Sequence, residues 1–147
     1  MSPETAARTL KIVGWALVAM SVMFSAGAWP PLNGPVLMFY DLVDWPMDGN
    51  VQTFAQETRL FSAILGGGFA SLGMMLILIV APAIVRGDEA VRRNAIIAIL
   101  TWFVVDSSGS IASGVPMNAV LNCVFLAAFA APLVMVNFRH ASNALQA

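Results

Sequence analysis

Four apolar stretches constrain this chain more than any other feature. They run from Ile12 to Trp29, Leu60 to Val85, Ala95 to Ser113 and Pro116 to Phe138. A helix rises about 1.5 Å per residue, so about 20 apolar residues cross a hydrocarbon core of about 30 Å. A soluble domain of 147 residues exposes too much surface to hide four such runs. Composition agrees: 10% of the residues are charged, against roughly 25% in soluble domains. The chain reads as all-α, a polytopic membrane protein of one domain over residues 1–147. The expected architecture is an antiparallel four-helix transmembrane bundle with an outer loop over residues 30–56.

Lys and Arg accumulate on the cytoplasmic side of a membrane. Arg8 and Lys11 precede the first stretch, Arg86, Arg92 and Arg93 separate the second from the third, and Arg139 follows the fourth. Arg59 alone opens the second stretch from the opposite side. With four spans, both termini are expected in the cytoplasm. Ala26-Gly27-Ala28 has the form of a signal-peptidase site. The first stretch is long for a signal-peptide core, however, and is expected to stay as a span.

The outer loop carries Pro30-Pro31, Asn33-Gly34-Pro35, Trp45-Pro46 and Asp48-Gly49-Asn50, all turn or breaker signals. Between them Val36 to Tyr40 is apolar and aromatic. A short helix or re-entrant hook at the membrane interface is expected there, with Trp29, Tyr40 and Trp45 in the aromatic belt. Asp41, Asp44 and Asp48 do not follow the alternation of an EF-hand loop and read as solvated.

Helices in lipid gain little from hydrophobic burial, so small residues that let backbones approach are informative. Ser62, Gly66 and Ala70 are spaced by four, as are Ala63, Gly67 and Ser71. Glycine inside a helix costs roughly 1 kcal/mol relative to alanine, so Gly66-Gly67-Gly68 calls for a compensating contact. The second span is expected at the bundle centre, against Ala127, Ala128, Ala130 and Ala131 of the fourth or against another protein. Pro82 and Pro132 are expected to kink their spans.

Asp106 is the most informative single residue. A carboxylate at that depth costs roughly 2.5–3.5 kcal/mol on insertion scales. Asn122 is expected at a similar depth on the fourth span, Asn118 one turn above it, and Arg59 within reach through its long stem. Arg59, Asp106, Ser110, Asn118 and Asn122, with Ser107 and Glu57 nearby, form the candidate intramembrane polar cluster. Three readings stay open: a packing lock with Arg59 neutralising Asp106, a site for a small polar ligand, a lipid or quinone head group or a proton, and a contact for a partner protein.

What is missing narrows the chemistry. One cysteine, Cys123, and one histidine, His140, leave no disulfide, zinc cluster, bis-histidine haem or iron–sulfur site within the chain. His140 lies at the wrong end for a triad with Asp106. No phosphate-binding or dinucleotide motif occurs, and no basic stripe suggests nucleic acid. The expectation is a protein that is not an enzyme, with no catalytic residues, no metal and no cofactor.

Thr58-Arg59-Leu60-Phe61 leading to Gly66-Gly67-Gly68, and Asp106-Ser107-Ser108-Gly109 at the outer end of the third span, resemble the small four-helix membrane proteins of bacteria that include the DoxX-like ones. The resemblance implies a compact antiparallel four-helix bundle in a bacterial inner membrane and carries no activity. The expected role is an accessory or assembly subunit of a larger, energy-converting membrane complex. Its partners would be lipid and other membrane subunits or a second copy. The alternative is a binder of a small molecule, lipid or quinone through the Arg59–Asp106–Asn122 cluster.

Overall fold

The structure is a computed structural model that describes residues 1–47 and 53–138. Asp48, Arg139 and His140 lie outside the described residues. Helix α1 spans Pro3–Ala26. A 3-10 turn, Pro30–Leu32, leads into α2, Gly34–Val43. Helix α3 runs Gln56–Val85, α4 Glu89–Ala112 and α5 Pro116–Met135. Helices α1, α3, α4 and α5 are long and apolar enough to cross a membrane, and they fit a multi-pass membrane protein.

Three of these helices begin well before the apolar stretches that announced them. Their opening turns carry Glu4, Glu57 and Glu89, and negative charge is favourable at a helix N-terminus. In α1 the Ser2 hydroxyl accepts from Thr5 N at 3.3 Å, and in α4 Asp88 accepts from Val91 N at 3.0 Å. The far boundaries move the other way: α1 ends at Ala26 rather than Trp29, and α5 at Met135 rather than Phe138. Gly87 (φ 74°) and Gly114 (φ 83°) turn the chain between α3 and α4 and between α4 and α5. Both need the left-handed region that a side chain disfavours.

The proline expectation divides. Ahead of Pro82, residues Leu76–Val80 form a π-helical turn, and Ala81 N bonds to Leu76 O. The wider turn accommodates a residue that has no N–H and whose ring would meet a carbonyl of the preceding turn. Pro132 is buried inside α5, which continues past it to Met135.

The helix at the centre is α1, not the second span. It packs along α3 and also touches α2 and α5. Added Cβ atoms report how closely α1 and α3 approach: at Gly14 one would lie 2.8 Å from Gly73 O, and at Gly73 one would lie 2.6 Å from Gly14 O. At Gly66 the nearest backbone atoms would be Ser21 O at 2.7 Å and Ser25 N at 2.8 Å. Ser62 Oγ donates to Phe24 O, at 2.6 Å, where α1 ends. These contacts climb α1 as they descend α3. Ala127, Ala128 and Ala131 of α5 are exposed and Ala130 is half-buried; the close partner of α3 is α1.

One end of the assembly is tied by termini. The Met1 amine donates to Met135 O at 2.9 Å, and Asn137 N donates to Met1 O at 3.0 Å. Arg92 donates to Leu133 O at 3.1 Å while forming an ion pair with Glu89. Two cationic groups thus meet the carbonyl end of α5, where the helix dipole is negative. Ala6, Leu10, Val80, Ile84, Ile99 and Leu133 make the core beside it. Away from that end a cavity lies between the α1–α3 pair and the α4–α5 pair.

Candidate functional site

Two helix faces build the polar wall of the cavity. On α4 and its C-cap, Trp102, Asp106, Ser110 and Ser113 recur at spacings of four or three, so they share one face. On α5, Asn118, Asn122, Phe125 and Phe129 do the same. The turn at Gly114 sets these faces against each other. Asn118 Nδ2 donates to Asp106 Oδ1 at 3.1 Å and to Ser110 Oγ at 2.8 Å. Ser110 Oγ lies 3.2 Å from Asp106 Oδ1 and donates to the Asp106 backbone carbonyl at 2.8 Å. One turn further in, Asn122 Nδ2 donates to Ser107 Oγ at 3.2 Å.

The sequence-predicted cluster is therefore mostly assembled, with one register change and one loss. Asp106 meets Asn118 rather than Asn122. Arg59 joins neither: no ion pair links it to Asp106, and the ion pair found among the described residues is Arg92–Glu89. The cause is the packing of α3, which lies along α1 while Asp106 stands on the α4–α5 pair. Across the cavity α3 contributes Leu65 and Phe69. Arg59 is half-buried outside the lining. Asp106 thus has neutral hydrogen-bond partners alone. All of them fall on Oδ1. No buried side-chain polar atom among the described residues lacks a partner, so Oδ2, which has none, reaches accessible space.

The cavity has a volume of about 640 Å³. Leu17, Met20 and Phe24 of α1 line it, and α2 closes one side with Phe39, Tyr40 and Val43. The short helix anticipated near Val36–Tyr40 is present as α2, and it is docked. Val36 and Val43 are buried, and the Phe39 ring meets Phe24 edge-on with centroids 5.1 Å apart. Phe24 also packs on Phe69 at 5.2 Å. Tyr40 faces Phe54 at 5.2 Å, and Trp29 and Trp45 are both exposed. Burial pushes the Tyr40 phenol above its ordinary value, so it stays protonated and able to donate. Asp44 stands at the rim.

Sequence reading missed the aromatic wall. Its signal was present in part: Phe125 and Phe129 extend the Asn118–Asn122 face by one and two turns, and Trp102 precedes Asp106 by one. The contributions of α1 and α2 had no such local signal. Of the small residues, Ser62, Gly66 and Gly73 are buried against α1, whereas Gly67 and Ser71 are exposed and Ala63 and Ala70 half-buried. No group of three or more metal-ligating side chains occurs among the described residues. Compared with known proteins, the chain matches no family model, no curated protein and no solved structure.

Proposed function

We propose that this is a non-catalytic multi-pass membrane protein that binds a small amphipathic molecule in the cavity between α1, α2 and the α4–α5 pair. One observation carries the reading: among the described residues Asp106 has no cation beside it, and it leaves an oxygen free at the wall of a cavity of about 640 Å³. A packing lock would neutralise that carboxyl and close the space, because a charge inside a membrane is costly unless paired. Apolar walls with a few convergent polar groups are the usual makeup of a small-molecule site.

The same reading includes an antiparallel four-helix bundle in a bacterial inner membrane, with both termini cytoplasmic. Arg8, Lys11, Arg86, Arg92 and Arg93 sit on the segments near the Met1–Met135 hydrogen bond, and Arg59 sits toward the opposite end; this distribution favours that orientation. In a Cys123→Ser background, cysteines placed at Met47 and Ala90 report it directly. Only Met47→Cys should react with an impermeant reagent added outside; reaction at Ala90→Cys alone would reverse the topology.

The binding reading is tested by thermal melting of detergent-purified protein with and without the organic extract of its own membrane. The wild type should be stabilised and Asp106→Asn should not, with equal melting temperatures before addition. Equal stabilisation of both proteins would remove Asp106 from the site. Collapse of Asp106→Asn without any extract would favour the packing lock.

A second reading retains the accessory subunit. It rests on Gly67 and Gly68, where an added Cβ would meet nothing within 4 Å. That edge of α3 is free to receive another helix.

A further inference from the structure

Given a ligand site in this cavity, its hydrogen-bonding state restricts what can enter. Every charged side chain in the lining is acidic: Asp106 in the wall and Asp44 at the rim. Among the described residues, no Lys, Arg or His lines the space.

The donors and acceptors lean the same way. A carboxylate only accepts, so Asn118 must turn its NH2 toward Asp106, and both bonds from Nδ2 are spent on Asp106 and Ser110. That orientation leaves the Asn118 carbonyl oxygen as a free acceptor beside the free Asp106 Oδ2. Donors without a partner among the described residues of the lining are the Tyr40 hydroxyl, the Trp102 indole N–H and the second hydrogen of Asn122 Nδ2, all of them neutral. Further along the same two helix faces stand aromatic rings, Trp102 and Phe129 edge-on with centroids 5.6 Å apart and Phe125 stacked on Phe129 at 6.2 Å. The faces of such rings attract cations, most strongly where water is excluded. An anionic head group would meet repulsion from the Asp106 carboxyl.

We infer that the cavity is a site for a monovalent organic cation, an ammonium carried on an apolar, aromatic-sized body, with its charge held by Asp106 and its body by the aromatic wall. This rests on the binding reading above and names the ligand class for it.

The test uses two probes of nearly one shape, 1-naphthylmethylammonium and 1-naphthylmethanol, which differ in the charge and hydrogen-bonding groups of the head. Binding to the detergent-purified full chain is measured by equilibrium dialysis against matched empty micelles. The ammonium should bind at least about tenfold more tightly than the alcohol, a factor equivalent to about 1.4 kcal/mol. Asp106→Asn should bring the two to parity. Leu65→Trp, which fills the cavity from α3 without touching the polar wall, should abolish both. Equal affinities in the wild type would overturn the cation assignment and leave the binding reading standing. Binding of neither probe would overturn the assignment, while stabilisation by membrane extract would still decide the reading beneath it. The wild-type comparison stands even where Asp106→Asn does not fold.

Discussion

Gly66→Leu should break the α1–α3 contact, while Gly67→Leu, one residue on, should leave it intact. A Cβ at Gly66 would meet Ser21 O and Ser25 N at 2.7 and 2.8 Å, and backbone at that distance cannot step aside as a flexible side-chain tip can. At Gly67 the same atom meets nothing within 4 Å. Overpacking typically costs about 1–3 kcal/mol and sometimes more; here the helix that moves is the central one, so the upper part of that range is expected. In lipid, close backbone approach provides much of the association energy, and it falls steeply as helices are forced apart. The readout is the melting temperature in detergent together with the elution profile. A large drop and loss of a single peak for Gly66→Leu, beside a wild-type profile for Gly67→Leu, is the expected pair of results. Equal effects would mean that the two faces are not distinguished as described. If Gly67→Leu leaves the bundle stable but strips away a co-purifying protein, the accessory-subunit reading gains its first direct support.

Phe24→Ala should undock α2 and open the cavity. Phe24 is 2% exposed and packs on both Phe39 and Phe69. It joins the short helix to the core and forms part of the cavity wall. A buried Phe→Ala change costs about 3–5 kcal/mol in soluble cores. In a membrane the part due to transfer out of water shrinks while the lost contacts remain, so about 2–3 kcal/mol is expected. Hydrogen exchange in α2, over Gly34–Val43, should speed up far more than exchange in α4. Uniform acceleration through all helices would show that Phe24 holds the whole bundle and not α2 in particular.

The elements that follow from composition and local spacing were legible in the sequence. Twenty apolar residues have few options, so the four long helices could be read from hydropathy. Hydropathy misplaced the helix starts because Glu4, Glu57 and Glu89 suit a helix N-terminus and spoil an apolar average. The α4 and α5 stripes were legible because Asp106, Ser110, Asn118 and Asn122 recur at helical spacing on two helices joined by one turn. The partner of α3 was not legible. Gly66 says that something comes close; it does not say what. The answer lay in Gly14, Ser21 and Ser25, which are scattered among larger residues of α1 and make a groove only once α3 is laid against them. Arg59 failed for the same reason. Charge suggested a pair with Asp106, but the pairing depends on which helices are neighbours, and α1 took that place. The cavity is a product of tertiary structure: α2 closes it, and nothing in Val36–Tyr40 indicates which surface those residues cover.

The two readings of function make opposite demands on the same preparation. Native mass spectrometry of the protein extracted from its own membrane in gentle detergent is therefore the most direct test of the binding site. The account predicts a small-molecule adduct on the wild-type chain that disappears in Leu65→Trp and persists in Gly67→Leu. A bare wild-type chain accompanied by a stoichiometric protein partner, lost on Gly67→Leu and unaffected by Leu65→Trp, would contradict it.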